Sequence, residues 1–164
     1  MTSPQHAPAR PDPLDTSLLF EVFALNQSVG RFLAEAMRDG PLTPAEYAVY
    51  SAMFELESAT PTALAARLGM RLTTFVDQLR LVESRGHARR LPNPRDGRSQ
   101  LVTLTAAGLE AHRAANRLFE TAYATFLEEL GGDEARARRA LADVRDAAER
   151  ARSVSPRRTA DPVG

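Results

Sequence analysis

The stretch RGHARRLPNPRDGRSQLVTLTAAG, residues 85–108, decides how this chain is read. It sets Arg85, Arg89, Arg90, Arg95 and Arg98 against a lone Asp96, in a chain whose formal net charge is zero at pH 7. HARRL and QLVTLT alternate around PNPRDGRS, a run of turn formers, so the stretch predicts a β-hairpin with a strongly basic tip. What precedes the hairpin gives it meaning. ATPTALAARLGM has Thr60 as cap, Pro61 at the first helical position and Gly69 just past the end, which predicts a short helix. LTTFVDQLRLVESRG then sets Phe75, Val76, Leu79 and Val82 on one face and Thr73, Thr74, Asp77, Gln78 and Arg80 on the other, closed by Gly86. Two short helices joined by a tight turn form a helix-turn-helix pattern, and a hairpin directly after it makes a winged helix.

Further out, LTPAEYAVYSAMFELES opens with Thr43, Pro44 and Glu46, the residues of a capping box with proline at its first helical position. Upstream, Asp12 and Pro13 predict the start of a long amphipathic helix carrying Leu18, Leu19, Val22, Phe23, Leu25, Phe32 and Leu33, which Gly40 and Pro41 stop. Downstream, Thr105 caps another long helix with Leu109, Leu118, Phe119, Tyr123, Phe126 and Leu127. Gly131, Gly132 and Asp133 break it before a last helix through Leu141 and Val144. The expected fold class is mainly α with a small β-hairpin wing.

Bulk properties narrow the function. A chain of 164 residues with 43% hydrophobic and 26% charged residues suits one soluble domain. There is no cysteine, so disulfides and thiol chemistry are excluded. The histidines, His6, His87 and His112, lie far apart in sequence, and no metal site is expected. No signal-peptide core and no apolar run of the roughly 18 residues that span a bilayer occur, so the expected location is cytoplasmic, with no membrane partner. A nucleotide-binding glycine loop, a metal-ligand cluster and an activated nucleophile are all missing, which argues against an enzyme and against a cofactor.

LTPAEYAVYSAM, the Leu64 to Gly69 element, RLVESRG and above all RDGRSQLVTLTAAG resemble the MarR family of bacterial transcriptional regulators. Asp96, Arg98, Ser99, Leu104, Thr105 and Gly108 match that family's most specific motif, and the resemblance covers roughly residues 15 to 150. It implies homodimers of winged-helix protomers, with a dimerisation layer built from the first helix and the last two. A ligand pocket would lie between that layer and the DNA-binding lobe. The expected organisation is a disordered arm over 1–12 and a single domain over 13–152, with a disordered tail over 153–164. Within the domain, 13–39 and 105–152 would dimerise and 43–104 would form the DNA-binding lobe. The sequence departs from the family at Asp77, an acidic residue on the face that would point at DNA, and at Leu72, where the family usually has Ser or Pro.

The expected activity is sequence-specific binding to a pseudo-palindromic operator in double-stranded DNA, as a repressor relieved by a small aromatic or phenolic effector. Arg98 would enter the minor groove at the wing tip, with Arg95 as the second wing contact and Ser99 beside them. Of Arg89 and Arg90, which an alternating strand points to opposite faces, at most one would meet phosphate. Asp96 would pair with an arginine and hold the wing's shape. On the second helix of the motif, Thr73, Thr74 and Gln78 would either reach base edges or form an ordinary polar face, with Arg71 at its start taking a phosphate or a guanine. Asp77 would pair with Arg80 or Arg71. Phe23, Tyr47, Tyr50 and Phe54 would either pack the core and dimer or line the effector pocket. The alternative to a regulator is a winged-helix module whose basic wing serves an acidic protein partner, without sequence-specific DNA binding.

Overall fold

The computed structural model describes residues 17–154. The expected arm, the Asp12 cap and the tail from residue 155 onward lie outside the described residues. The elements run α1 (Leu18–Ala36), α2 (Pro44–Leu56), α3 (Pro61–Arg67), α4 (Leu72–Ser84), β1 (Ala88–Pro92), β2 (Gln100–Leu104), α5 (Ala106–Leu130) and α6 (Glu134–Val154). They form a winged helix with long helices on either side of it in sequence.

Local chemistry sets most of these bounds. Thr43 accepts from the Glu46 N–H while the Glu46 carboxylate accepts from the Thr43 N–H at 2.9 Å, a complete capping box. Thr60 accepts from the Ala63 N–H at 3.2 Å to open α3. Gly69 and Gly86 follow α3 and α4 with φ of 64° and 71°, the left-handed conformation that ends a helix. Two bounds differ from expectation. Ser17, whose hydroxyl accepts from the Phe20 N–H, caps α1 at Leu18, so the described helix starts after the proline signal. α6 takes in Ser153 and Val154, placed above in the tail, because nothing breaks its hydrogen bonding before them.

The chain divides into two units, one up to Ala122 and the other from Tyr123, with the boundary inside α5. In the first, Tyr50, Phe75, Leu64, Leu79, Met53 and Val102 are fully buried and join α2, α3, α4 and the hairpin into one core. β1 and β2 pair antiparallel, with Ala88 opposite Leu104 and Arg90 opposite Val102. Val102 also exchanges both backbone hydrogen bonds with Ala59, which adds a bridge at the sheet edge that no sequence pattern announces. In the second unit, Glu134 at the start of α6 takes hydrogen bonds from the Tyr123 hydroxyl and from Arg138. These two donors hold the Glu134 carboxyl below its ordinary value.

Candidate nucleic-acid interface

α4 buries Phe75, Leu79 and Val82, which fixes its rotation and turns Thr73, Thr74, Asp77 and Arg80 outward. Gln78 is half-buried on the flank, and Arg71 stands exposed at the cap. Asp77 pairs with Arg80 at 2.8 Å, one of the two arginines expected for it.

The hairpin answers the question of its arginines by dividing them. Arg85 reaches back to Glu46 at 2.7 Å, tying the end of α4 to the start of α2. Burial pushes the Glu46 carboxyl up, but the Thr43 N–H, Arg85 and the Thr43 hydroxyl outweigh it and hold the group below its ordinary value. Arg90 clamps both oxygens of Glu83, at 2.7 and 3.2 Å. Its guanidinium is therefore engaged by an ion pair within the fold, although the residue stays exposed. Arg89, Arg95 and Arg98 are exposed, and among the described residues none of them pairs with a carboxylate. Three unneutralised guanidinium groups along one wing form a positive surface that the zero net charge conceals.

The tip is held by its own polar side chains. Asn93 accepts from the Arg95 N–H at 3.0 Å, and Asp96 accepts from the Arg98 N–H at 3.0 Å, two successive Asx turns. Ser99 donates to the Asp96 carbonyl and takes a hydrogen bond from the Asn93 amide at 2.8 Å. This corrects two expectations. Asp96 meets a backbone N–H instead of an arginine, because a carboxylate two residues upstream already sits beside it. The Ser99 hydroxyl is half-buried and occupied, so it shapes the turn from within.

Replacing Asp96 by alanine separates shape from charge. Removing a negative group beside phosphate-seeking arginines would tighten DNA binding if charge alone mattered. Loss of the hydrogen bond that orients Arg98 is instead expected to weaken binding about fivefold, from roughly 1 kcal/mol per hydrogen bond. Fluorescence anisotropy with a labelled duplex measures the sign, which is the informative quantity.

The aromatic quartet does not form one pocket. Tyr50 is 0% exposed, its hydroxyl 2.8 Å from His87 Nδ1, and belongs to the core. Phe23 is exposed on α1. Tyr47 and Phe54 both stack on His112, with ring centroids 5.5 and 4.7 Å away. His112 and Ser51 were not among the residues expected to matter, yet Ser51 Oγ lies 3.2 Å from His112 Nε2 in a largely buried cluster. The spacing of His112 from Leu109 and Phe119 on α5 is the signal that placed it inward. Tyr47 also lines a cleft of about 290 Å³ with Leu33, Met37, Pro44, Ser51 and Phe119, and the Glu55–Arg67 ion pair at 2.7 Å contributes to its wall.

His112 is 5% exposed, and its Nδ1 has no partner among the described residues. Burial, then the neighbouring Arg113, pushes its pKa below the ordinary 6.5. A pKa lower in the folded than in the unfolded chain means that protonation favours unfolding. The His112 contribution is complete above the ordinary value and is lost as pH falls below it. Urea unfolding is expected to show a loss of stability between about pH 7 and 5, before the carboxylates titrate. His112→Phe should flatten that slope whatever its effect on stability at neutral pH.

Comparison with known proteins agrees with this geometry. No family model matches the chain. The transcriptional regulator MosR of M. tuberculosis, solved in complex with DNA, superposes with a TM-score of 0.73 at 26% identity, covering 84% of this chain and 99% of that one. A point mutant of MarR from E. coli, complexed with operator DNA, gives a TM-score of 0.65 at 26% identity over 78% of this chain and 97% of its own. The HTH-type transcriptional regulator TtmR of Methylorubrum extorquens is 30% identical over 98 residues, and the match spans 60% of this chain and about half (50%) of that protein.

A helix-turn-helix followed by a two-stranded wing, with a long helix entering it and two leaving it, defines a winged-helix DNA-binding class. Within that class, the chain is similar in fold and sequence to regulators of the MarR type.

Proposed function

We propose that this chain is a homodimeric, sequence-specific DNA-binding transcriptional regulator that acts as a repressor. One observation carries the reading. Arg85 and Arg90 are paired within the fold, whereas among the described residues Arg89, Arg95 and Arg98 pair with no carboxylate and stand beside a helix whose outer face is polar. Related proteins crystallised with DNA support it. α1 supports the dimer: Leu18, Leu19, Phe20, Val22, Phe23 and Leu25 are all exposed on it, an apolar surface that water does not tolerate on an isolated protomer. A dimer places two recognition helices on half-sites about 34 Å apart.

The cleft lined by Tyr47, Ser51 and Phe119 is the proposed effector site. At about 290 Å³ it lies at the small end of ligand pockets and suits a single aromatic ring. An effector held there would favour a spacing of the recognition helices that no longer fits the DNA repeat.

The test is DNA binding by a variant with Arg89, Arg95 and Arg98 all replaced by alanine. Binding should be lost while the melting temperature stays near wild type, since these side chains make no ion pairs among the described residues. A triple variant that binds DNA as the wild type does overturns the reading.

A further inference from the structure

We infer that Arg80, positioned by Asp77, reads a guanine in the major groove, an inference that rests on the DNA-binding reading above.

An acidic residue on the face of α4 that meets DNA calls for an explanation, because a carboxylate repels phosphate. Asp77 and Arg80 form an ion pair at 2.8 Å with side chains 71% and 70% exposed. Pairs so exposed contribute little to folding. Stability therefore does not account for it, and what the pair does to geometry does.

Arg80 lies one turn beyond Asp77 on the face opposite Phe75, Leu79 and Val82. Side chains on a helix lean toward its N-terminus, and the bond from Nη1 to Asp77 Oδ1 draws the guanidinium back over the preceding turn. That turn, with Thr73 and Thr74 before it, is where a recognition helix meets base edges. The bond occupies one guanidinium nitrogen. Nε and Nη2 bind nothing else among the described residues, and they keep the planar fork that matches guanine O6 and N7. Asp77 thus acts as a positioning residue. It also neutralises part of the charge that would otherwise draw Arg80 onto a phosphate.

The experiment begins with duplexes that the wild-type protein selects from a random pool, then compares wild type, Arg80→Ala and Asp77→Ala on them by anisotropy. One guanine per half-site should matter through Arg80. Changing it to adenine or to 7-deazaguanine, which lacks N7, should weaken wild-type binding roughly tenfold or more, the scale of a bidentate base contact, and leave Arg80→Ala indifferent. Asp77→Ala should lose discrimination at that same position while binding random duplex more tightly. A purely structural role for Asp77 would not produce that split.

Arg80→Ala weakening all sequences alike, with the salt slope reduced by about one per protomer, would make Arg80 a phosphate contact and overturn the assignment. Asp77→Ala keeping full guanine preference would overturn the positioning role. Wild-type protein that selects no sequence at all would overturn the regulator reading, whereas a selected site indifferent to Arg80 overturns this inference alone.

Discussion

Gly108→Ala is expected to lower stability by at least about 3 kcal/mol, a fall in melting temperature of roughly 6–12 °C for a chain of this size. The naive sign is the opposite. Gly108 lies in the first turn of α5, where alanine is worth about 1 kcal/mol more than glycine in helix propensity. The native contact reverses it, because a Cβ added here would stand 2.1 Å from the His87 carbonyl oxygen and 3.0 Å from its carbon. Those are backbone atoms at the junction of α4 and β1, and they cannot swing aside as a side chain would. The junction is also pinned: the Thr105 N–H donates to the His87 carbonyl at 2.9 Å, and the Thr105 hydroxyl donates to the Gly86 carbonyl at 2.7 Å. Relief of the clash must therefore move α5 away from the root of the wing. Gly30→Ala is the control, since nothing lies within 4 Å of its added Cβ and it sits inside α1, so it should stabilise by roughly 0.5–1 kcal/mol. Thermal unfolding followed by circular dichroism reads both, and a Gly108→Ala protein melting with the wild type would contradict the packing described.

Arg98→Ala is expected to leave folding untouched and to weaken DNA binding by roughly 30- to 900-fold in a dimer that loses two such contacts, at about 1–2 kcal/mol each. Its side chain is exposed and makes no ion pair among the described residues, while its backbone N–H is fixed by Asp96. On the proposed reading, this turn would present the guanidinium to a narrow, A·T-rich minor groove, where the negative potential is deepest. The loss should be largest on duplexes with A·T flanks. Arg90→Ala gives the contrast, because that guanidinium is already engaged by Glu83. Titration of both variants against one duplex, beside their melting curves, separates a wing that contacts DNA from one that is merely charged.

Most of the fold could be read from the sequence because its signals act over a few residues. Thr43 with Glu46, Thr60 with Pro61, and the helix-ending Gly69 and Gly86 each determine a boundary through atoms within one turn. The hairpin was legible for the same reason. The roles of individual polar groups were less so. Whether Arg85 and Arg90 face DNA or the protein depends on Glu46 and Glu83, and the first of these is brought close only when α2 packs on α4. Ser99 matches a familiar motif, but its job inside the turn shows only in its hydrogen bonds to Asn93 and Asp96. The His112 cluster joins residues from α2 and α5 that are 61 positions apart, and no local pattern ties Ser51 to it. Tyr50 and Phe54 look alike in sequence, and only the rotation of α2 sends one into the core and the other against His112.

Whether this protein reads a DNA sequence is decided by anisotropy with the duplex upstream of its own gene and a scrambled duplex of equal composition, at two salt concentrations. A sequence-reading dimer gives clear preference for the native duplex and a log–log salt slope of about −7, as expected when each protomer neutralises roughly four phosphates. Equal, feeble binding to both duplexes would contradict that reading and assign the free arginines of the wing to an acidic protein partner.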